Sequence, residues 1–354
     1  MSLLAALVLL LRQDPKPPLV LQRDIDDAIK RGCDHLLAAA QTGLGPVAYH
    51  EDKGITYDAL VLYTLMHGGV DRKHKVVQDL TAVVRKTPPM RTYQVAMSAL
   101  ALAAVDAKAH RRQLAAYAQF LADTQAENGQ WGYGEPYDVK APEVPADTAG
   151  GTTSNTVIRR ARRPRPAVGD NSNSQYAALG LWACSRGGFE VEESVVDLAI
   201  KWWESSQRPD GSWGYAEGGK FDAVVGSYGS MTAGGAGSVA ILRRMRGRDA
   251  KSTSVKNAMA WLSNNWAVDK NAGAPTAQQA WHYYYLYAVE RLGDLCATEK
   301  IGKWTWYAEG AAFLIKSQSG GVWGGPEPRM QVADTCFGIL FLERSMRVAT
   351  GEKK

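Results

Sequence analysis

The chain has 354 residues, 45% of them hydrophobic and 22% charged, with 41 Lys and Arg against 36 Asp and Glu. That apolar content suffices for one large domain or two ordinary ones, and it excludes a disordered, collagen-like or small disulfide-stapled chain. The excess of +5 is concentrated in Arg159, Arg160, Arg162, Arg163 and Arg165, so the neutral remainder implies no nucleic-acid surface.

From the N-terminus, Leu3 to Leu11 form an uninterrupted apolar run, followed by the Pro-rich Gln13-Asp14-Pro15-Lys16-Pro17-Pro18. The run is too short to span a membrane and suits the apolar part of an export signal, with residues 1–18 as signal and tether. A frayed tail on a cytoplasmic protein is the alternative, since no Lys or Arg precedes the run and no clear cleavage triplet follows it. No other segment is apolar enough to cross a bilayer. Cys33, Cys184, Cys296 and Cys336 show no Cys-x-x-Cys spacing and are expected as free thiols.

From residue 19 to 350 the chain alternates two kinds of helical run. Amphipathic runs start near Leu19, Asp71, Asp106, Glu190, Asp249 and Lys303. Nearly charge-free runs cover Thr56 to His67, Thr92 to Val105, Ser174 to Cys184, Thr232 to Leu242, Gln278 to Val289 and Thr335 to Leu342. A helix apolar on all sides must be surrounded by protein, whereas one with a single apolar stripe lies outside. Six such alternations predict an all-α fold of six inner and six outer helices in two concentric rings, with an open superhelix as the alternative. Closure would gather six inner-helix N-termini, attractive to anions, on one face. The basic insertion at 133–170 joins an outer helix to an inner one and must emerge there, either as an anion-binding element or as a solvated loop.

Within the alternation a unit recurs: Gln125 with Gly129-Gln130-Trp131-Gly132-Tyr133, Gln207 with Gly211-Ser212-Trp213-Gly214-Tyr215, and Gln318 with Gly321-Val322-Trp323-Gly324. These units resemble the QW repeats of squalene and oxidosqualene cyclases, and the paired helices resemble the six-fold α/α toroid that those cyclases share with protein prenyltransferase β subunits. Gly169-Asp170-Asn171-Ser172-Asn173-Ser174-Gln175-Tyr176, the stretch Tyr283 to Arg291 and the stretch Thr335 to Leu342 also resemble stand-alone cyclase-repeat proteins of planctomycete-type bacteria. The resemblance implies structural bracing for Gln125, Trp131, Gln207, Trp213, Gln318 and Trp323.

Cyclases of this kind protonate an alkene or epoxide with an Asp-x-Asp-Asp motif. The one match here, Asp24-Ile25-Asp26-Asp27, opens an outer helix, where carboxylates favour the dipole but cannot reach a cavity. Prenyltransferases hold zinc with Asp, Cys and His; His282, Asp334 and Cys336 are the one set with partial likeness, in the wrong order, and a capping Asp with a buried Cys is preferred. Asp58, Asp170, Asp222 and Asp334 could serve a glycosidase-like acid and base at inner N-termini, although capping is the commoner task. The resulting expectation is a binding or scaffolding module without cofactor, its cavity favouring an apolar or anionic isoprenoid-like molecule. The cavity would be lined by Asn171, Asn173, Gln175, Tyr176, Met231, Thr232, His282, Tyr283 and Asp334. A terpenoid cyclase or prenyltransferase-like enzyme, or a polysaccharide-active one, is the alternative.

Overall fold

The structure, a computed structural model, describes residues 18–46, 55–141, 156–216, 226–325 and 327–346. The expected export signal and Asp222 lie outside the described residues. Twelve α-helices account for most of what is described: α1 (Gln22–Thr42), α2 (Asp58–His67), α3 (Lys75–Lys86), α4 (Thr92–Asp106), α5 (Arg111–Thr124), α6 (Asn171–Ser185), α7 (Glu193–Ser205), α8 (Gly229–Met245), α9 (Thr253–Asn264), α10 (His282–Leu295), α11 (Trp306–Ser317) and α12 (Pro328–Leu342).

Odd and even helices differ in how they bury their residues. The outer helix α1 buries Ile25, Ala28, Ile29, Gly32, Cys33 and Leu36, a single stripe at helical spacing, and α3 does the same with Val76, Val77, Leu80 and Val84. The inner helix α4 buries every residue from Val95 to Ala103. Glycine-rich α8 buries every residue from Gly229 to Leu242. Glycine in a helix interior is unfavourable by about 1 kcal/mol relative to alanine, so α8 owes its stability to packing on all sides. Gly235 shows why the small residue is needed, since a Cβ there would lie 2.9 Å from Trp203 and Trp213.

Each inner helix packs on the next: α2 on α4, α4 on α6, α6 on α8, α8 on α10, α10 on α12, and α12 back on α2. Of the outer helices, α1 packs on α12 and α2, α5 on α4 and α6, and α11 on α10 and α12.

Helix starts differ from the sequence expectation, consistently for the outer helices and in both directions for the inner ones. Outer helices begin three to five residues later, because residues such as Asp71 and Asp249 belong to the preceding turn and accept its backbone N–H groups. Asp106 ends α4 rather than opening α5. The inner helix α12 begins seven residues earlier than Thr335, at Pro328, where proline suits the first helical position and Glu327 accepts from Met330 N at 2.6 Å. Before α10, Thr276–Trp281 form a 3₁₀ turn instead of the predicted α-helix.

The basic insertion is a docked strap over its described residues, which corrects the solvated-loop expectation. Thr156–Ile158 (β1) pair in parallel with Phe189–Val191 (β2), in register Thr156 to Phe189. Beyond β1, Ala161 N donates to Asp123 Oδ1 at 2.6 Å, Gln119 Nε2 donates to Arg159 O at 2.7 Å, and Arg160 donates to Glu192 through its backbone and to Gln125 Oε1 through its guanidinium. Arg163 lies 3.9 Å from the Tyr137 ring centroid. These groups hold the strap against α5 and the start of α7.

Candidate functional site

The repeated Gln and Trp residues build the wall of the site. Gln125 Nε2 donates to Val195 O at 2.9 Å, Gln207 Nε2 to Ser254 O at 2.8 Å, and Gln318 Nε2 to Ala28 O at 2.8 Å. Each amide thus reaches from the end of one outer helix to the first turns of the next, and the third links the last outer helix to the first. The indoles of Trp131, Trp213 and Trp323 donate back to Leu121 O, Trp203 O and Leu314 O at 2.7, 3.0 and 2.8 Å. Their backbone N–H groups meet the hydroxyls of Ser174, Thr232 and Thr335 on the adjoining inner helices. All three rings are buried, each removing a large apolar area from water while its one N–H is satisfied.

Two residues beyond the first two tryptophans stand Tyr133 and Tyr215, and these face the other way. With residues from all six inner helices they line a pocket of about 500 Å³ at the N-terminal end of those helices. Seven tyrosines (57, 93, 133, 176, 215, 228 and 284) with Trp281 and Phe337 supply its rings, and Leu60, Met97 and Met231 supply aliphatic surface. Gln94, Ser172, Ser230 and Gln278 are among its polar groups, and among the described residues no charged side chain lines it. Tyr176 and Tyr284 stack in its floor with centroids 6.0 Å apart and planes at 11°.

Of the nine residues expected to line the cavity, Tyr176 and Met231 do. Asn171 faces the wall instead, accepting from Gln130 and Trp202 at 3.0 Å each and donating to Gly214 O. Asn173 donates to Asp170, Thr232 braces Trp213, and His282 Nε2 lies 2.8 Å from Val268 O beside Phe313. Tyr283 packs on His282 and Phe313, and Gln175 lies behind the floor, accepting from the Tyr284 hydroxyl at 2.7 Å. Asp334 sits against Gly324, whose φ of +101° and lack of a Cβ leave it room. The expectation took runs of consecutive residues, but neighbours on a helix point about 100° apart, so the lining follows spacings such as Tyr93 with Met97, Ser172 with Tyr176 and Ala333 with Phe337. Tyr133 and Tyr215 were legible as the shared last residue of two repeat units.

The carboxylates resolve similarly. Asp26 and Asp27 are exposed on α1, and Asp26 accepts from Gln22 at 2.8 Å, far from any apolar cavity. Asp58 is half-buried at the start of α2. Asp170 caps α6, its carboxylate accepting from Ser172 Oγ at 2.6 Å and from Asn173 N and Nδ2 at 2.8 Å; burial raises its pKa while these donors lower it. Burial pushes Asp334 up to about 8. His282, Asp334 and Cys336 do not converge, since His282 turns to Val268 and Cys336 lies beside Thr64 of α2. Among the described residues no group of three His, Cys, Asp or Glu could hold a metal ion. The arginines of the strap do not line the pocket, so the expected basic, anion-attracting mouth is not formed by them.

No family model and no curated protein matches the sequence. Among solved structures, the apo type II terpene cyclase MstE from Scytonema aligns with a TM-score of 0.56 at 13% identity, covering 93% of this chain and 99% of that one. The chain has a terpenoid cyclase-like fold. A variant of MstE in complex with the substrate geranylgeranyl dihydroxybenzoate aligns at 0.54 and 13% identity, and another in complex with the product merosterolic acid A at 0.51 and 11%, each covering 92% of this chain and 98% of the other. On this terpenoid cyclase-like fold the wall of Gln and Trp braces surrounds an aromatic pocket, and no helix among the described residues is long and apolar enough to cross a membrane.

Proposed function

We propose that the chain is a closed six-fold α/α toroid whose central pocket holds an apolar, isoprenoid-like small molecule, and that it serves as a binding module rather than a catalyst. Closure is supported by the return of α12 to α2 and by the Gln318 bond to α1. The observation that carries the function is the pocket lining: among the described residues, nine aromatic rings and no charged group surround about 500 Å³, within the roughly 300–1,000 Å³ of small-molecule sites. Aromatic faces suit a chain of alkene units, and MstE, of the same fold, binds a geranylgeranyl compound.

Protonating an alkene needs a carboxylic acid presented to the cavity. Neither Asp170, whose carboxyl is taken up by three donors at the cap of α6 although burial raises its pKa overall, nor Asp334, raised by burial to about 8, is among the lining residues. A site outside the cytoplasm fits the apolar run Leu3 to Leu11.

The test is to titrate the protein with a C20 polyprenyl alcohol, following its melting temperature and tryptophan fluorescence, and to analyse the recovered lipid by gas chromatography. Binding with the alcohol recovered intact is expected, and Tyr133→Ala combined with Tyr215→Ala should weaken it about ten-fold by removing two rings. No shift with any prenyl chain would overturn the pocket reading. A product of equal mass and new retention time would make the protein a cyclase.

A further inference from the structure

Behind the pocket floor lies a cation that the fold itself does not neutralise. Arg291 on α10 is 2% exposed. Its Nη1 has no hydrogen-bond partner, its Nη2 lies 3.5 Å from Gln175 Oε1, and its other polar neighbours are the uncharged hydroxyls of Tyr176 and Tyr287. Of the neighbouring carboxyls, Asp294 pairs with Arg344, and Glu290 accepts from the backbone N–H of Met346 at 2.7 Å through Oε1, leaves Oε2 without a hydrogen-bond partner and is pushed well above the usual carboxylate range by burial. A buried charge without a partner is strongly unfavourable, so a group that supplies one would be held firmly.

Arg291 points toward the pocket. Side chains of a helix tilt toward its N-terminus, and α10 begins at the pocket end. The guanidinium Cζ accordingly lies 4.2 Å from the ring centroid of Tyr287, one turn nearer the pocket. Gln175 accepts from the Tyr284 hydroxyl, and Tyr284 lines the pocket, so a single side chain separates the cation from the cavity. The amide nitrogen of Gln175 meets the Met231 sulfur, a weak acceptor, at 3.6 Å.

We propose that Arg291 anchors the carboxylate head of an apolar acid whose chain fills the pocket. The inference rests on the pocket reading above and adds the polar end of its ligand. The carboxylate replaces Gln175 Oε1 as acceptor for Tyr284 and Arg291, and its two oxygens match the planar guanidinium. One guanidinium balances one negative charge, which suits a carboxylate and leaves a diphosphate under-compensated.

The experiment is calorimetric titration of the full chain at pH 7.5 with a C20 polyprenyl carboxylic acid, the matching primary alcohol and the matching diphosphate. The acid should bind at least about ten-fold more tightly than the alcohol, as expected for a charge-assisted hydrogen bond. Arg291→Met should abolish that ratio, leave the alcohol's affinity unchanged and melt no lower than the native protein, because an unpaired buried charge has been removed. An acid-to-alcohol ratio near one in the native protein overturns the anchor alone, and needs no folded variant. A diphosphate that binds more tightly than the acid also overturns it. Failure of all three ligands to bind overturns the pocket reading together with the anchor.

Discussion

At the N-terminal ends of the inner helices the pocket lining is rich in tyrosine and the buried carboxyls Asp170 and Asp334 stand behind it, whereas toward the C-terminal end of α10 Glu290, Arg291 and Asp294 are all carried into the core. The far end manages most of this charge internally. Arg344 pairs with Asp294 and Glu299, placing a cation where the dipole of α10 is negative, and burial pushes the Glu290 carboxyl well above the usual carboxylate range. At the pocket end Asp170 is satisfied by Ser172 and Asn173, and Asp334 is raised by burial without a cation beside it. The difference teaches that one end of these helices spends its polar groups on holding the fold together while the other leaves a pocket, the site of the ligand proposed above, with Arg291 between the two.

The sharpest break of that comparison is Arg344→Met, which leaves Asp294 buried without its cation. Unfolding in urea should show a loss of about 3–5 kcal/mol, while affinity for the prenyl alcohol stays unchanged. An equal loss of affinity would mean that the two ends are not independent.

Asp334 tests whether the pocket end is neutral. Its folded pKa, raised to about 8 by burial, exceeds the unfolded value near 4, so the folded state binds the extra proton between those limits. Stability should therefore be greatest below about pH 4 on this account and fall as pH rises toward 8, by a few kcal/mol in all. Tyr283 on α10 and Cys336 on α12 are titratable neighbours, and both are pushed upward by burial, so they stay neutral over that window. Asp334→Asn should flatten the difference between urea midpoints at pH 5 and pH 8; an unchanged slope would place the titration elsewhere.

Gln318→Ala is a smaller intervention at the seam between α11 and α1. Losing the bond to Ala28 O should lower stability by about 1 kcal/mol and speed amide exchange in α1 more than in α5 or α7. Uniform exchange would argue that the seam is held by apolar packing alone.

The smallest effect is expected from replacing Asp24, Asp26 and Asp27 together by Asn. They are in the first turns of an outer helix, where each dipole interaction amounts to roughly 0.3–1 kcal/mol at most and solvent screens it. The melting temperature should fall by no more than a few degrees, and prenyl binding should be unaffected. Loss of binding would return the motif to the site.

The alternation of striped and all-round apolar helices is written in the chain, because burial on one side or on every side is a local property of 3.6-residue periodicity. So is the repeat that plants Trp131 and Trp213 in the wall. Its Tyr133 and Tyr215 were readable as lining once the wall was recognised. Which inner-helix residues face the pocket was not readable: Asn171 and Ser172 are neighbours of the same polar type, yet Asn171 braces Trp202 and Ser172 lines the cavity, and only the rotation of α6 against α4 and α8 decides between them. The docking of Arg160 and Arg163 escaped the sequence for the same reason, since a run of like charges reads as solvated until α5 and β2 are brought beneath it. Arg291 is the extreme case. In the sequence it follows Glu290 as an ordinary ion pair would, but side chains one residue apart on a helix diverge by about 100°, and the packing of α10 between α8 and α12 sends the two to different neighbours.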